Sequence, residues 1–437
     1  MAHAAPNGLG RGVPPVLHER NFRLLLTGQA ISIIGDAISM IALPFAILAM
    51  GGSVAQVGLV LGARAVPNAV FLLIGGVWAD RLPRRLVMLA SDLVRGVTMV
   101  AIFIVLVSDH GSIVLLVLLS AVYGIGEAFF RPALSGVIPQ CVSPARLQEA
   151  YGLLATTPAL GIAVGGAVGG ALVALISPAG AIAFDAASFG VSAACLALMR
   201  TQGSPTPWKN RDFRYDLREG WTAFSSRRWL VVVVIGEVLY ALFVMPSIYA
   251  VGPAIADEKL GGSSSWAAIV SGFGIGFLIG GLTAMKLRPQ RPLVLGYLLC
   301  IPFAFFFVAL ALSPPVFVLA AAAIVAGSVI SMSGTLLETT ITREVPPELR
   351  SRVGSFRTLG SVAMLPVGMI LVGPITGAFT TTGAEVIAFI AVLANVAIVL
   401  GTPSVRALRA HYPAEQPPTR EPGDDPLEGV PRAETVV

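Results

Sequence analysis

The chain has 437 residues, of which 55% are hydrophobic and 12% charged, with a mean hydropathy of +0.83. A soluble domain carries roughly a quarter charged residues, so this composition excludes a water-soluble enzyme, a nucleic-acid binder and a disordered chain. The net charge of +5, from 29 basic and 24 acidic residues, is too small an excess to call for a polyanionic partner. Three cysteines (Cys141, Cys195, Cys300) and four histidines (His3, His18, His110, His411) stand far apart. They give neither a disulfide framework nor metal-ligand spacing, and no metal or cofactor is expected.

Crossing the hydrocarbon core takes about 20 apolar residues in a helix, and uncharged runs of that size recur along the whole chain. Residues 1–20 lack the apolar core of a cleavable signal, so the first span itself is expected to direct insertion. In chain order the runs predict twelve spans, near 22–49, 54–78, 86–107, 112–131, 152–176, 179–199, 229–251, 265–285, 292–312, 316–337, 354–376 and 383–402. The breaks fall at turn-forming sequences such as Ser177-Pro178-Ala179-Gly180 and Ser313-Pro314-Pro315. The expected fold class is therefore an all-α membrane protein of twelve transmembrane helices.

Lys and Arg favour the cytoplasmic ends of spans. Here they concentrate in the N-terminal tail, every second loop and the C-terminal tail, while the opposite set of loops holds one, Lys259. That alternation predicts a multi-pass protein of the cell membrane with both termini cytoplasmic. The longest internal loop, 200–228, carries seven basic residues and divides the spans six and six. The expected organisation is a tail over 1–21, a six-helix half over 22–199, the basic loop over 200–228, a second half over 229–402 and a polar, Pro-rich, disordered tail over 403–437. Val142-Ser143-Pro144-Ala145-Arg146 after span 4 is echoed by Val345-Pro346-Pro347-Glu348-Leu349 after span 10. Two similar six-helix halves are the design of transporters that rock around a central site.

Glycines at every fourth position let helices approach closely in lipid. Gly161, Gly165 and Gly169 form such a stripe in span 5, and Gly272, Gly276 and Gly280 form one in span 8. The bland reading is general packing; the sharper one is that spans 5 and 8 meet at the interface between the halves and slide there during transport.

Between spans 2 and 3 lies Gly76-Val77-Trp78-Ala79-Asp80-Arg81-Leu82-Pro83-Arg84-Arg85. Its Asp80 precedes the next helix, where a carboxylate is favoured, and Arg84 and Arg85 obey the positive-inside bias. The segment resembles the signature loop of the major facilitator superfamily, with Pro83 where that loop has its last glycine. Asn21-Phe22-Arg23, Phe129-Phe130-Arg131-Pro132-Ala133 and Phe184-Asp185-Ala186 resemble its efflux branch of enterobactin-exporter-like and macrolide-efflux-like proteins. The resemblance implies two pseudo-symmetric halves, export of small molecules and a proton gradient as energy source. It also implies a cytoplasmic gate at Gly76, Asp80, Arg81, Arg84 and Arg85. Two positions depart from it. Gly165-Gly166 replaces the Gly-Pro of the antiporter motif, and Ser120 stands where span 4 often has an arginine.

An ionisable group at mid-bilayer costs at least ~2.5 kcal/mol, so each one marks a candidate site. By position along the spans, Asp80, Arg84, Asp92, Arg95, Glu127 and Arg131 are expected on the cytoplasmic side as a gate network, or as static ion pairs. Asp36, Arg64 and Glu237 lie nearer the depth at which such transporters bind substrate. Asp36 is the first candidate for proton coupling or for a cationic substrate, or else a fixed partner of Arg64. Phe45, Tyr240, Phe243 and Tyr249 are candidates to line an apolar pocket.

The sequence therefore predicts a secondary exporter of small, largely apolar compounds such as drugs, antibiotics or siderophores. Its partners are the small molecule and the bilayer, and a monomer is expected. An importer or lipid flippase, or a transporter-like sensor without flux, are the alternatives. No Gly-Lys pair exists for a phosphate-binding loop, and no His-Glu-x-x-His or Gly-x-Ser-x-Gly run for a membrane enzyme.

Overall fold

The structure is a computed structural model describing residues 14–79, 82–108, 111–200 and 213–410. With no water to satisfy backbone groups in lipid, a spanning chain must be helical or a closed barrel, and the described residues contain helices and no strand. In the first half these are α1 (Arg20–Ala49), α2 (Val54–Ala79), α3 (Arg84–Val107), α4 (Ile113–Cys141), α5 (Leu147–Leu175) and α6 (Pro178–Leu198). A short helix, α7 (Phe213–Ser225), lies within the central loop. The next span begins as α8 (Arg228–Leu239), passes through two π-helical turns, Tyr240–Val244 and Ser247–Val251, and ends as α9 (Gly252–Lys259). Then come α10 (Ser263–Ala284), α11 (Pro292–Leu312), α12 (Val316–Glu344), α13 (Pro347–Val362), α14 (Leu365–Gly401) and α15 (Pro403–Ala407).

Among the described residues eleven helices are long and apolar enough to cross a membrane, where twelve spans were expected. The difference lies in α14, which covers the end of the span expected at 354–376 and all of that expected at 383–402. At ~1.5 Å per residue its 37 residues would reach ~55 Å, well beyond a ~30 Å core. The helix is not continuous: Thr380 sits at φ 63°, ψ 174° and divides it into arms over 365–379 and 381–401.

Several helices run past the ends expected from composition. The fourth span was expected to stop at Arg131, but α4 continues to Cys141 despite Pro132 and Pro139. The charge at Arg131 and the two prolines read as a terminus in sequence, yet a helix facing a cleft carries a charge at its centre without ending there. Residues 403–407, expected to open a disordered tail, form α15, with Val405 buried. The N-terminal tail up to residue 13, residues 201–212 of the central loop and the tail beyond 410 lie outside the described residues.

The ends of α1, α3 and α5 nearest the chain start share one face of the bundle with the 142–146, 286–291 and 402–410 connections; this is called the terminal face below. The opposite face carries turns at 50–53, 176–177, 260–262 and 313–315. Positive-φ residues tighten three of these turns: Gly51 (φ 78°), Gly261 (φ 88°) with Gly262 (φ 91°), and Ser313 (φ 49°).

Three clusters of buried apolar side chains set the arrangement of the halves. One, on the terminal side of the first half, gathers Val16, Phe22, Met88, Phe130 and Leu196. A second, on the terminal side of the second half, gathers Trp229, Leu230, Leu293, Ile341 and Val399. The third is shared, joining Ile38, Val57 and Phe189 of the first half to Val251, Trp266 and Phe307 of the second. The halves are thus fused toward the opposite face and have separate cores at the terminal face. Outward-facing side chains such as Val97, Val114, Leu175 and Phe317 are 68–84% exposed, an apolar surface suited to lipid.

Glycines place the helices that form this seam. Gly166 and Gly170 of α5 abut Ser271 and Ala267 of α10, and Gly274 of α10 abuts Ala163 of α5. Gly58 and Gly62 of α2 abut Val372 and Met369 of α14. The two stripes singled out in the sequence do something else. Gly161, Gly165 and Gly169 face Ile33, Ala37 and Ile38 of α1, and Gly272, Gly276 and Gly280 face Ala320, Ile324 and Ser328 of α12. Spans 5 and 8 do meet at the seam between the halves, as expected, but through the adjacent helix faces, while the fourth-residue stripes mark the tightest neighbour within each half. Gly274→Leu should force α5 and α10 apart. The expected readout is faster labelling of a Met40→Cys reporter, in the cavity behind the seam, by an impermeant thiol reagent added at the opposite face.

Candidate functional site

The ionisable side chains of the first half converge on one cluster at mid-helix depth. Gly124 allows α4 to lie directly on the Arg64 carbonyl of α2, bringing Glu127 within reach of Arg64. Arg64 Nε donates to Glu127 Oε2 at 3.0 Å, and its Nη2 lies 3.5 Å from Asp36 Oδ1. Arg95 Nη1 approaches Asp36 Oδ2 from the other side at 3.8 Å. Arg95 Nη2 donates to Asp92 Oδ1, and Ser192 Oγ of α6 donates to Asp92 Oδ2 at 2.6 Å. Tyr123, fully buried, donates its hydroxyl to Asp36 Oδ1.

Aromatic rings hold the two guanidiniums in place. Arg64 lies over the Tyr123 ring at 4.0 Å, and Arg95 lies over Phe130 at 4.4 Å and Phe189 at 4.5 Å. Such cation–π contacts strengthen when desolvated. Asp185 of α6 adds another carboxylate beside α1: it is fully buried, accepts from Ser188 Oγ at 3.2 Å, and its Oδ2 has no hydrogen bond. Gly35 makes the room, since a Cβ there would meet Ser188 and Asp185.

Asp36, Asp92, Glu127 and Asp185 therefore face two buried guanidiniums, Arg64 and Arg95. Arg131, one turn from Glu127, stands exposed at the cavity rim. Excess carboxylate in a low-dielectric interior is relieved by binding protons or a cation.

The expected division into a gate group and a central group does not match this geometry. Asp92, Arg95 and Glu127 form one cluster with Asp36 and Arg64: Glu127 sits mid-helix because α4 runs on to Cys141, and Arg95 of α3 reaches from Asp92 to Asp36. Glu237 lies elsewhere, in the second half, where Arg357 Nε donates to Glu237 Oε1 at 2.7 Å and Arg357 Nη1 to Glu338 Oε1 at 2.5 Å. Arg84 Nη1 donates to the Gly136 carbonyl at 2.7 Å. Arg85 donates to the Leu196 and Ala197 carbonyls at 2.6 and 2.5 Å, satisfying acceptors left open at the end of α6. Both arginines thus engage backbone of neighbouring helices. Gly76 lies in the last turns of α2, and Asp80 and Arg81 lie outside the described residues.

Two cavities border α1, one at Asp36 and the other at Ala37, Met40 and Ile41. On the terminal side, a polar one of about 360 Å³ is lined by Gln29, Ser32, Asp36, Glu127, Arg131 and Tyr151 among others. On the other side, an apolar one of about 200 Å³ is enclosed by both halves. Ala37, Met40 and Ile41 of α1 form one wall, and Tyr240, Met245, Tyr249, Trp266, Phe273 and Phe303 form much of the rest. Of the aromatics expected to line a pocket, Tyr240 and Tyr249 do so. Phe45 is buried in the core, and Phe243 borders a smaller void behind the π turns. π-helical turns occur often at functional sites, and here they turn Tyr240, Ile248 and Tyr249 toward the cavity.

Sequence reasoning did not select Tyr123, Asp185, Ser192, Arg357 or Glu385 for the site. For Tyr123 a signal existed: it stands four residues before Glu127, on the same helix face. For Glu385 there was none, since a lone acid in an apolar run gives no hint of its partner.

The fold and these charged helices define a polytopic transporter of two half-bundles. A model of the Major Facilitator Superfamily matches residues 25–365, and the chain belongs to that family. It is 26% identical over 264 residues to Macrolide efflux protein A of Streptococcus pyogenes, a match covering 60% of this chain and 65% of that protein's length. It is 24% identical over 370 residues to the Multidrug efflux pump Tap of Mycobacterium tuberculosis, covering 81% and 87%. Among solved structures, an inward-facing, unoccupied bacterial homolog of the human lysosomal transporter Spinster superposes with a TM-score of 0.65 at 18% identity, covering 89% of this chain and 96% of that one.

Proposed function

We propose that this protein is a secondary active exporter of small, largely apolar compounds, driven by proton entry and working by alternating access. The observation that carries the reading is the placement of α1, whose Asp36 lines the terminal-side cavity while its Ala37, Met40 and Ile41 line an apolar cavity shared by both halves. A lipophilic compound would lie against Tyr240, Trp266, Phe273 and Phe303, where aromatic area gives affinity without demanding one shape. Met40 and Met245 add adaptable contacts. The carboxylate excess around Asp36 supplies a place for a proton, or for the cationic end of an amphiphile.

On this reading the terminal face is cytoplasmic, as the basic loops imply, and the conformation has its two halves sealed toward the outside. The efflux names of the sequence relatives support the export direction, and the chain is read as a monomer in the plasma membrane. Asp80 and its neighbours Gly76, Arg81, Arg84 and Arg85 would serve the cytoplasmic gate. Asp80→Asn should lower transport while leaving the protein in the membrane, and unchanged transport at normal expression would remove the gating role.

The test is expression in a drug-hypersensitive host, paired with accumulation of the same compounds in inverted vesicles under an imposed pH gradient. Accumulation dependent on that gradient is expected, whereas uptake in right-side-out vesicles would favour an importer. Trp266→Ala and Phe273→Ala should each weaken apparent affinity for the exported compound, by ~1–3 kcal/mol if the ring packs on it. Maximal rate should change less than the concentration for half-saturation.

A further inference from the structure

Glu385 is a fully buried carboxyl with no ion-pair partner among the described residues. It lies in the first turns of the 381–401 arm of α14, just past the break at Thr380. Its Oε2 accepts from Ser247 Oγ at 2.6 Å, and its Oε1 has no hydrogen bond. No described cation pairs with it. Of the elements packed against α14, α2 offers Arg64, which engages Glu127 and Asp36. Glu237 of α8 and Arg357 of α13 pair with each other, and Arg406 of α15 donates to the Gly401 carbonyl. The π turns and α11 contribute only Tyr240, Tyr249, Tyr297 and Cys300 as titratable groups. A carboxylate can accept about four hydrogen bonds, and this one receives a single hydroxyl. An unpaired buried charge is relieved by neutralisation.

The surroundings tie this group to the seam between halves. Ser247 opens the second π turn and lines a void of about 10 Å³ together with Val251, Val372, Ile375 and Ala384. That volume is at the lower limit for one water. Val372, on the other arm of α14, is also the residue against which Gly58 of α2 sits. The wall that keeps the void small is therefore held by a helix of the other half.

We infer that Glu385 is a proton-binding site of the second half, separate from the Asp36 cluster and governed by the contact between α2 and α14. In the conformation described it is a neutral carboxylic acid, sealed from water. When α2 leaves α14 at the opposite face, the void beside Ser247 opens. The Glu385 O–H bond then breaks, its proton passes to water, and the carboxylate keeps the Ser247 hydroxyl as donor. Closure reverses each step. The coupling part rests on the alternating-access reading above; the proton site does not.

Two measurements on the full-length protein in lipid separate these parts. Infrared difference spectra between acidic and alkaline pH report protonated carboxyl carbonyls directly. Wild type should show a band that is lost in Glu385→Gln, which keeps a hydrogen-bond acceptor for Ser247, and retained in Asp36→Asn. A spectrum of Glu385→Gln identical to wild type would overturn the site. In vesicles, acid in the compartment at the opposite face should slow thiol labelling of a Met40→Cys reporter more in the otherwise wild-type protein than in Glu385→Gln, because the protonated acid belongs to the sealed conformation. Equal slowing in the two proteins would overturn the coupling. A wild-type protein inert to every gradient, with the infrared band behaving as expected, would support the proton site and overturn the exporter reading alone.

Discussion

Replacing Asp36 by Asn is expected, on the exporter reading proposed above, to abolish proton-gradient-driven export while leaving the protein folded in the membrane. Asp36 accepts from Tyr123 and lies between two guanidiniums, 3.5 Å from Arg64 and 3.8 Å from Arg95. It is also the member of the cluster that borders the polar cavity on α1 and is 27% exposed. It is thus within reach of water or a cation in that cavity without the cluster coming apart. Asn keeps the volume and an acceptor for Tyr123, so the ring stacking over Arg64 survives. The proton-carrying group is lost, and the charge that balances Arg64 and Arg95 falls by one. Counterflow of an uncharged substrate should persist, and a lipophilic cation should lose affinity if the carboxylate meets it directly. Transport by Asp36→Asn at the wild-type rate and with wild-type pH dependence would remove Asp36 from both roles.

Replacing Arg64 by Leu is expected to give the largest loss of stability. Its guanidinium is 15% exposed and holds Glu127 at 3.0 Å and Asp36 at 3.5 Å, with Tyr123 stacked beneath. Removing one partner of a buried ion pair costs about 3–5 kcal/mol, because the other charge stays buried and unpaired. Here Glu127 loses the guanidinium it pairs with, while Asp36 keeps Arg95 at 3.8 Å and the Tyr123 hydroxyl. The expected outcome is poor recovery of monodisperse protein in detergent and a thermal midpoint well below wild type. Arg64→Leu combined with Glu127→Leu should recover part of the loss, since the pair is then replaced by apolar volume. Equal midpoints for Arg64→Leu and wild type would mean the cluster contributes nothing to holding α1, α2 and α4 together.

The membrane class was legible in the sequence because hydrocarbon imposes a length and a polarity on every crossing. The spacing of basic loops conveyed the alternation for the same reason. The helix ends were not legible where they mattered most. Composition places an end at Arg131, but α4 continues to Cys141, and that shift moves Glu127 from a rim to the centre of the cluster. The merged α14 is the converse case. Two apolar runs were correctly seen as separate, and the helix joins them through a single non-helical residue, Thr380, with no loop between.

The glycine stripes teach a related lesson. Spacing identified helices that approach others closely, yet periodicity on one helix carries no information about which neighbour fills the groove. Gly161, Gly165 and Gly169 proved to serve α1, while Gly166 and Gly170, on the adjacent face, reach across to α10.

The sequence by itself determined that this is a multi-pass helical membrane protein of the major facilitator type, and which few charged residues stand within or beside its spans. Those properties follow from the cost of each residue in lipid, which is local and additive along the chain. Only the tertiary structure decided the pairing. It drew Asp36, Arg64, Asp92, Arg95 and Glu127 into one cluster through Tyr123, set Glu237 apart with Arg357, and left Glu385 with a lone serine. Pairing depends on which helix faces meet, and helix contact in lipid is fixed by side-chain shape and close approach. These are relations between distant segments that no single stretch of sequence contains.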